Sequence, residues 1–218
     1  MTTSKALIIA VDGPAASGKG TIAARLAREY GLPHLDTGLL YRAVGMKVLE
    51  GGDDLDDEAA AVAAAQSLVP AGLSEDERLT TGEAGEAASR VAGYPGVRAA
   101  LLELQQAFAR QPGGAVLDGR DIGTVITPEA PAKLFVTASP EVRARRRWSQ
   151  LTARGFDIAF EAMLTDIRIR DERDAGRGAA PMVQAKDAVL LDTTDLSIEA
   201  AFDAARRIVE AARAKHGL

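Results

Sequence analysis

Near the start of the chain stands ALIIAV (6–11), an unbroken apolar run with β-branched members that stops at Asp12-Gly13-Pro14. A short run that is apolar at every position reads as a parallel strand buried on both faces. Past a glycine-rich loop, Ile22, Leu26 and Tyr30 recur at helical spacing over 21–30, and Gly31 supplies the stop. LPHLD then reads as a short strand, followed by a helix from about Gly38 to Glu50 that ends at Gly51-Gly52. Three more runs read as strands: GAVLDG (114–119), KLFVTA (133–138) and AVLLD (188–192). Helical stretches separate them. SPEVRARRRWSQL begins with Ser139 as cap and Pro140 in the first turn. A helix is expected over 156–174, and SIEAAFDAARRIVEAARAK closes the chain. Strand and helix in alternation predict an α/β fold with a five-stranded parallel sheet wrapped on both faces. Residues 53–93 break the alternation. They are acidic and alanine-rich, then loop-like in AGLSEDERLTTGEAGE, hold no strand, and read as an insertion carried on the core.

Composition narrows the function classes. A chain of 218 residues suffices for one full core with a small inserted subdomain. The net charge of −5 argues against a general duplex-DNA binder, so no nucleic-acid partner is expected. There is no cysteine, which excludes disulfides and thiolate metal sites, and His34 and His216 stand too far apart in sequence to suggest a histidine cluster. MTTS cannot make a signal peptide and LIIAV is too short to span a membrane. The expectation is a soluble cytoplasmic protein without a membrane partner. With no obvious exposed apolar stripe, a monomer is expected.

The loop after the first strand, Gly13-Pro14-Ala15-Ala16-Ser17-Gly18-Lys19-Gly20, nearly spells the phosphate-binding pattern G-x-x-x-x-G-K-[ST], with Thr21 one place late. Glycines let backbone N–H groups converge on phosphate oxygens, lysine adds a point charge, and the following helix directs its N-terminal dipole at the anion. Gly20 has no hydroxyl for Mg²⁺, so Thr21 must serve, or phosphates and water hold the metal. The form K-G-T resembles nucleoside-monophosphate kinases more than switch GTPases.

Ligands of open α/β sheets bind beyond the carboxyl ends of the strands. HLDTGLLYRA places Asp36, Thr37, Tyr41 and Arg42 there, and AVLDGRDIGT adds Asp118, Gly119, Arg120 and Asp121. Arg42 and Arg120 suit a bidentate grip on a monophosphate, although Arg42 alone reads equally as a surface residue. Asp118 has the strand-end position of an acid that orients Mg²⁺ through water, and also of an ordinary turn aspartate. Nine arginines and no lysine lie between 143 and 177, among them Arg143, Arg147, Arg170, Arg173 and Arg177. Some of them must be a solvated face, but the planar fork of arginine suits a transferring phosphoryl group. Arg143 and Arg147, four apart, share a helix face. The two helices joined near RGFD can form a hinged lid that excludes water from a donor nucleotide.

The set GPAASGKGT, LDTGLLYRA, AASRVAGYPGVR, LDGRDIGTVITPEAPAKLFVTAS and RDERDAGRGAAPM is similar to bacterial cytidylate kinases, over nearly the whole chain and in the same order. The resemblance implies a three-layer P-loop fold with an inserted NMP-binding subdomain and a short lid. The expected divisions are a core of 1–36, 94–145 and 175–218, an acceptor-binding insertion of about 37–93, and a lid with flanking helices of about 146–174. It implies transfer of the γ-phosphate of ATP to CMP or dCMP with Mg²⁺. Carried onto this chain, Thr37, Arg98, Asp121 and Arg177 match base-binding positions and Ser89 a neighbouring one. Arg42, Arg120 and Arg170 match residues that hold the acceptor phosphate and the transferring group, and Asp174 matches the acid that binds the sugar hydroxyls. Tyr41 joins the substrate side, while Gly13 to Thr21 and Arg147 form the donor side. Lys19 acts with the three arginines in catalysis, and Thr21 and Asp118 serve the metal. The segment before Ser89 is shorter than is usual in the family. Two other readings stay open at this point: a kinase for uridylate, adenylate, thymidylate or shikimate, and a nucleotide-binding switch without kinase turnover.

Overall fold

The computed structural model describes residues 6–218. MTTS and the expectation attached to it lie outside them. All five predicted runs are strands: β1 (Leu7–Asp12), β2 (His34–Asp36), β3 (Gly114–Gly119), β4 (Ala132–Thr137) and β5 (Val189–Asp192). They form one parallel sheet in the order β2-β3-β1-β4-β5. The connecting helices are α1 (Lys19–Tyr30), α2 (Thr37–Glu50), α3 (Glu58–Gln66), α4 (Gly82–Val91), α5 (Pro95–Ala109), α6 (Pro140–Thr152), α7 (Phe160–Ala175) and α8 (Ile198–His216).

The unbroken apolar character of β1 has a direct cause. Leu7, Ile9 and Val11 face one side and pack against Ile22 and Leu26 of α1 and Ala201, Ala205 and Val209 of α8. Ile8 and Ala10 face the other, among Leu117, Ile122, Ile126 and Ala109. Each residue therefore enters a core, as a parallel sheet covered on both faces requires. At the sheet's carboxyl edge the register sets Asp12 opposite Gly119 and Asp36 opposite Asp118.

Between β2 and β3 the chain builds a second core. Leu40, Val44 and Val48 of α2 pack with Ala61 and Ala65 of α3, Ala87 and Val91 of α4, and Val97 and Leu101 of α5. The segment expected to be loop-like contains two short 3₁₀ turns and then α4, which starts at Gly82. Thr81 caps that helix by accepting from the Ala84 N–H at 3.1 Å. Its glycines suggested a loop, but Gly85 is there for close approach rather than for a turn. Where α2 crosses α4 the approach is closer still, since a β-carbon on Gly45 would lie 2.6 Å from the Ala87 Cβ.

The helix expected over 156–174 starts instead at Phe160. Gly155, in the left-handed region at φ 86°, ends the previous helix, and the Phe156 N–H turns back to the Leu151 carbonyl at 3.1 Å. Trp148 Nε1 donates to the Ile158 carbonyl at 2.8 Å, which pins the connection between α6 and α7. Ala144, Leu151, Met163 and Ile167 form the core of this pair. Buried Arg143 ties it to the rest of the molecule. Its Nε donates to the Ala138 carbonyl at 2.8 Å, its Nη1 to the Ala15 carbonyl at 3.2 Å, and its fork closes on Asp171 of α7.

Gly45→Ala adds the better helix former, by about 1 kcal/mol, but drives a methyl group into the backbone of Ala87. The expected net effect is a loss of about 1–2 kcal/mol of stability, read as a lower urea midpoint. An unchanged or higher midpoint would mean that α2 and α4 move apart without cost.

Candidate active site

The donor end is built by the turn from β1 to α1. At Gly13, φ is 148° and a β-carbon would sit 1.9 Å from the Val136 carbonyl oxygen, so the loop can pass β4 only with glycine there. Ala16 at φ 59° and Gly18 at φ 92° complete the bend. Ser17 is fully buried and its Oγ has no hydrogen-bond partner among the described residues. Lys19 folds back over the loop, its Nζ 3.4 Å from the Pro14 carbonyl. Burial, with Arg120 adding repulsion, pushes the Lys19 amine down to about 7.

Beside the loop lies a cleft of about 630 Å³, lined by residues 16–22 together with Asp36, Arg146, Gln150 and apolar Leu196 and Ile198. Arg146 donates to Thr193 Oγ1 at 3.0 Å, to the Thr193 carbonyl at 2.7 Å and to the Ser17 carbonyl at 3.3 Å. The next residue points elsewhere: Arg147 Nη2 reaches the Thr80 carbonyl at 3.3 Å and does not line the cleft. Arg143 lies in the core, so the two arginines that share a helix face serve different neighbours. The sequence places Arg146 in the arginine run without assigning it to the site. Its neighbour has the same chemistry, and only the way α6 packs on the loop separates them.

The acceptor end is a smaller cavity of about 140 Å³ that continues from Lys19 and Gly20 past the carboxyl ends of β2 and β3. Thr37, Tyr41, Arg42, Ser89, Arg98, Asp118, Arg120, Asp121, Arg170, Asp174 and Arg177 all line it, drawn from α2, α4, α5, β3 and α7 with their flanking loops. Thr37 Oγ1 donates to the Asp118 carbonyl at 2.8 Å. Arg98 and Asp121 form a buried ion pair, and the Arg98 guanidinium lies over the Tyr41 ring at 5.5 Å. Asp174 is a hub. It accepts from Arg120 Nε at 2.8 Å, Arg177 Nη2 at 2.5 Å and Ser89 Oγ at 3.1 Å. Burial pushes its carboxyl up, but the combined pull of Arg120, Arg177 and Arg170 outweighs that and holds it below the usual carboxylate range.

Cations outnumber the carboxylates that face them. A β-carbon on Gly85 would lie 3.2 Å from Arg170 Nη1 and 3.8 Å from both Nη atoms of Arg42, so the two forks meet over one bare Cα. Arg42 otherwise leans on the Leu79 carbonyl at 2.7 Å. Burial, then repulsion from Arg120, lowers Arg170 to about 9, and burial lowers Arg42 as well. Buried like charges with depressed affinities for their protons form a receptor for an anion that can bridge them.

Asp36 and Asp118 stand side by side between the two cavities. Asp36 accepts from the Gly38 N–H at 2.9 Å, and burial, then the nearby Asp118, raises its proton affinity. Asp118 Oδ1 is 2.8 Å from His34 Nε2, while a β-carbon on Gly20 would lie 3.7 Å from Asp118 Oδ2. This carboxylate thus stands in ordinary contact distance of the position that lacks the expected hydroxyl. Among the described residues no three carboxylate or imidazole ligands converge. Such a donor set fits Mg²⁺, which keeps several waters and is bound largely through phosphates. The sequence placed Asp36 at the ligand-binding edge but gave it no role and did not single out His34 there; β2 carries both, and the register puts Asp36 against Asp118.

Comparison with known proteins agrees with this geometry. The cytidylate kinase family pattern matches residues 9–212. A cytidylate kinase of Xanthobacter autotrophicus is 68% identical over 208 residues, covering 95% of this chain and 99% of its own. One from Caulobacter vibrioides is 66% identical over 211 residues, with 97% and 99% covered. Among solved structures, an uncharacterized protein from Eubacterium ventriosum superposes with a TM-score of 0.55 at 16% identity, over 95% of this chain and 99% of that one, a likeness of fold. On the family match and these identities, the chain belongs to the cytidylate kinase family.

Proposed function

We propose that this protein transfers the γ-phosphate of ATP to CMP or dCMP, giving ADP and CDP or dCDP. The observation that carries the reading is the set of crowded, half-buried cations, Lys19, Arg42, Arg120 and Arg170, at the junction of the two cavities. Family membership supports the substrate pair.

In this reading ATP occupies the larger cleft, with its phosphates on the N–H groups of residues 13–21 and on Lys19. CMP enters the smaller cavity. At about 140 Å³ it is below the 300 Å³ or so of ordinary ligand pockets, so it widens on binding. α7 supplies Arg170 and Asp174, so movement of α6 and α7 as a lid widens it. Arg120 exchanges Asp174 for the acceptor phosphate, and Arg42 exchanges the Leu79 carbonyl. Asp174 is then free for the sugar hydroxyls. The Asp121 carboxylate has lone pairs beyond the one given to Arg98 and takes the cytosine amino group. Arg98, Arg177 and Thr37 serve the ring acceptors, next to Ser89 and Tyr41.

Transfer is direct and in line. Arg42, Arg120 and Arg170 align the acceptor oxygen and spread the charge of the transition state. A general base is unnecessary because a phosphate monoester is already mostly dianionic at neutral pH. Thr21, and Asp118 through water, would hold Mg²⁺, which would supply charge neutralisation at the donor phosphates. Helices 140–152 and 160–175 act as the lid, and the helical segment about 37–93 as the acceptor-binding unit. Arg147 belongs to this lid and approaches the donor when it closes. We place the protein in the cytoplasm as a monomer without nucleic-acid or membrane partners. In support, the net charge is −5, and no described helix is long and apolar enough to cross a membrane.

Coupled ADP release from Mg-ATP, with CMP, dCMP, UMP, AMP and dTMP supplied in turn, tests the reaction. Turnover is expected with CMP and dCMP, and Asp121→Ala is expected to reduce kcat/KM for CMP by about 100-fold, the scale of a lost hydrogen bond to a buried charged group. Preference for UMP or AMP would overturn the pocket assignment, and nucleotide binding with no acceptor turned over would overturn the kinase.

A second expectation follows from Lys19. With its amine lowered to about 7, it is mostly neutral at pH 8 in the free protein, and a bound phosphate recharges it. ATP binding at that pH should therefore take up nearly one proton, measured by calorimetry in buffers of different ionisation enthalpy. Lys19→Met should abolish the uptake. Equal proton exchange in the parent and the variant would show that Lys19 does not carry the donor charge.

A further inference from the structure

Asp12 is the last residue of β1, immediately before the phosphate loop, and it is buried. Both of its oxygens go to backbone. Oδ1 accepts from the Ile122 N–H and Oδ2 from the Gly123 N–H, each at 2.8 Å. These two donors open a single π-helical turn, Ile122–Ile126. The Asp121 carbonyl closes it by accepting from Val125 at 2.9 Å and Ile126 at 3.2 Å. The first N–H groups of a helical turn lack partners of their own, and π turns concentrate at functional sites. Directly before this one stand Arg120 and Asp121, and Asp121 has left the strand conformation at φ −144°, ψ 24°. The strand register, with Asp12 opposite Gly119, brings the carboxylate within reach.

We propose that Asp12 is a positioning residue for the acceptor nucleotide: by clamping the start of the π turn it sets how Arg120 and Asp121 leave β3, without touching the substrate. This rests on the reading of Asp121 as the group that takes the cytosine amino proton. The clamp joins the strand that carries the donor loop to the loop that reads the acceptor. A charged acceptor makes both bonds stronger than a neutral one would.

Burial works against that charge and pushes the Asp12 carboxyl up to about 7, opposed by the two N–H groups. Asp121 raises it further, and Arg120 lowers it. Lys133 packs its stem against Gly123 but turns its Nζ to the Pro128 carbonyl and to Asp187. Protonation near neutrality removes one oxygen from the clamp.

Steady-state KM values for CMP and for ATP, taken separately, test this in the parent, Asp12→Asn, Thr127→Val and Asp121→Ala. The Asn amide turns an N–H toward one of the turn's donors. Thr127→Val loosens the other end of the turn, where Thr127 Oγ1 donates to the Ile122 carbonyl at 3.1 Å, and it answers the question if Asp12→Asn does not fold. Both variants should raise KM for CMP about tenfold while KM for ATP stays within about twofold. Cytidine has no phosphate and is uncharged over the neutral range. Its affinity for the parent should weaken as pH falls through about 7, and for Asp12→Asn it should stay flat.

An unchanged KM for CMP, equal rises for both substrates, or a pH-independent cytidine affinity in the parent would each overturn the proposal. If Asp121→Ala raises KM for CMP and the other two variants do not, this inference falls alone. If Asp121→Ala leaves it unchanged, the base-reading assignment falls and takes this proposal with it.

Discussion

The constraint on which the rest of the site depends is the burial of more cations than carboxylates at the carboxyl edge of one sheet. Lys19, Arg42, Arg120 and Arg170 come from four separate stretches of chain and converge there. Placing like charges together in a region of reduced dielectric is unfavourable. The structure tolerates it because Asp174 engages two of the arginines around the cavity, carbonyls at 79 and 81 take another, and the lysine loses affinity for its proton. The fold's own stability is spent on a cluster of charges suited to an anion. Its affinity for phosphate follows from the same imbalance.

The sheet makes that arrangement possible by being rigid and covered on both faces. β1 and β3 are buried at every position, so the loops at their ends start from fixed points. The helical elements that bring Arg42, Arg170 and Asp174 belong to separate small cores, one around α2 to α5 and one between α6 and α7. Separate cores can move as bodies against the sheet while their own packing stays intact. Arg143 is where the α6–α7 body attaches to the phosphate loop, since it bonds both the Ala15 carbonyl and Asp171.

Much of this was legible in the sequence, for identifiable reasons. β1 and β3, buried at every position, appeared as nearly unbroken apolar runs, and the other three strands were read with bounds shifted by two residues at most. Helix α6 announced itself through its Ser139 cap and Pro140. α4 did not, because Gly82 and Gly85 look like loop residues when the reason for Gly85 is two arginines from distant segments. Motif resemblance collected the residues of the acceptor cavity, though periodicity alone could not. The choice between Arg146 and Arg147 was beyond reach, since adjacent helical residues differ by 100° or so in direction and only packing selects one. The His34–Asp118 contact and the π turn above Asp12 depend on strand register, which no local pattern encodes.

The pinned connection between α6 and α7 has an optical consequence. Trp148 is the chain's single tryptophan. Its indole N–H is bonded to the Ile158 carbonyl, and its ring meets that of Phe160 edge-on at 6.4 Å. Every photon of tryptophan fluorescence from this protein therefore originates at the joint between α6 and α7, whose core also packs Ala15 and Ala16 of the glycine-rich loop. Tryptophan emission therefore reports on the packing at this joint in the unlabelled protein, in real time and without a substitution.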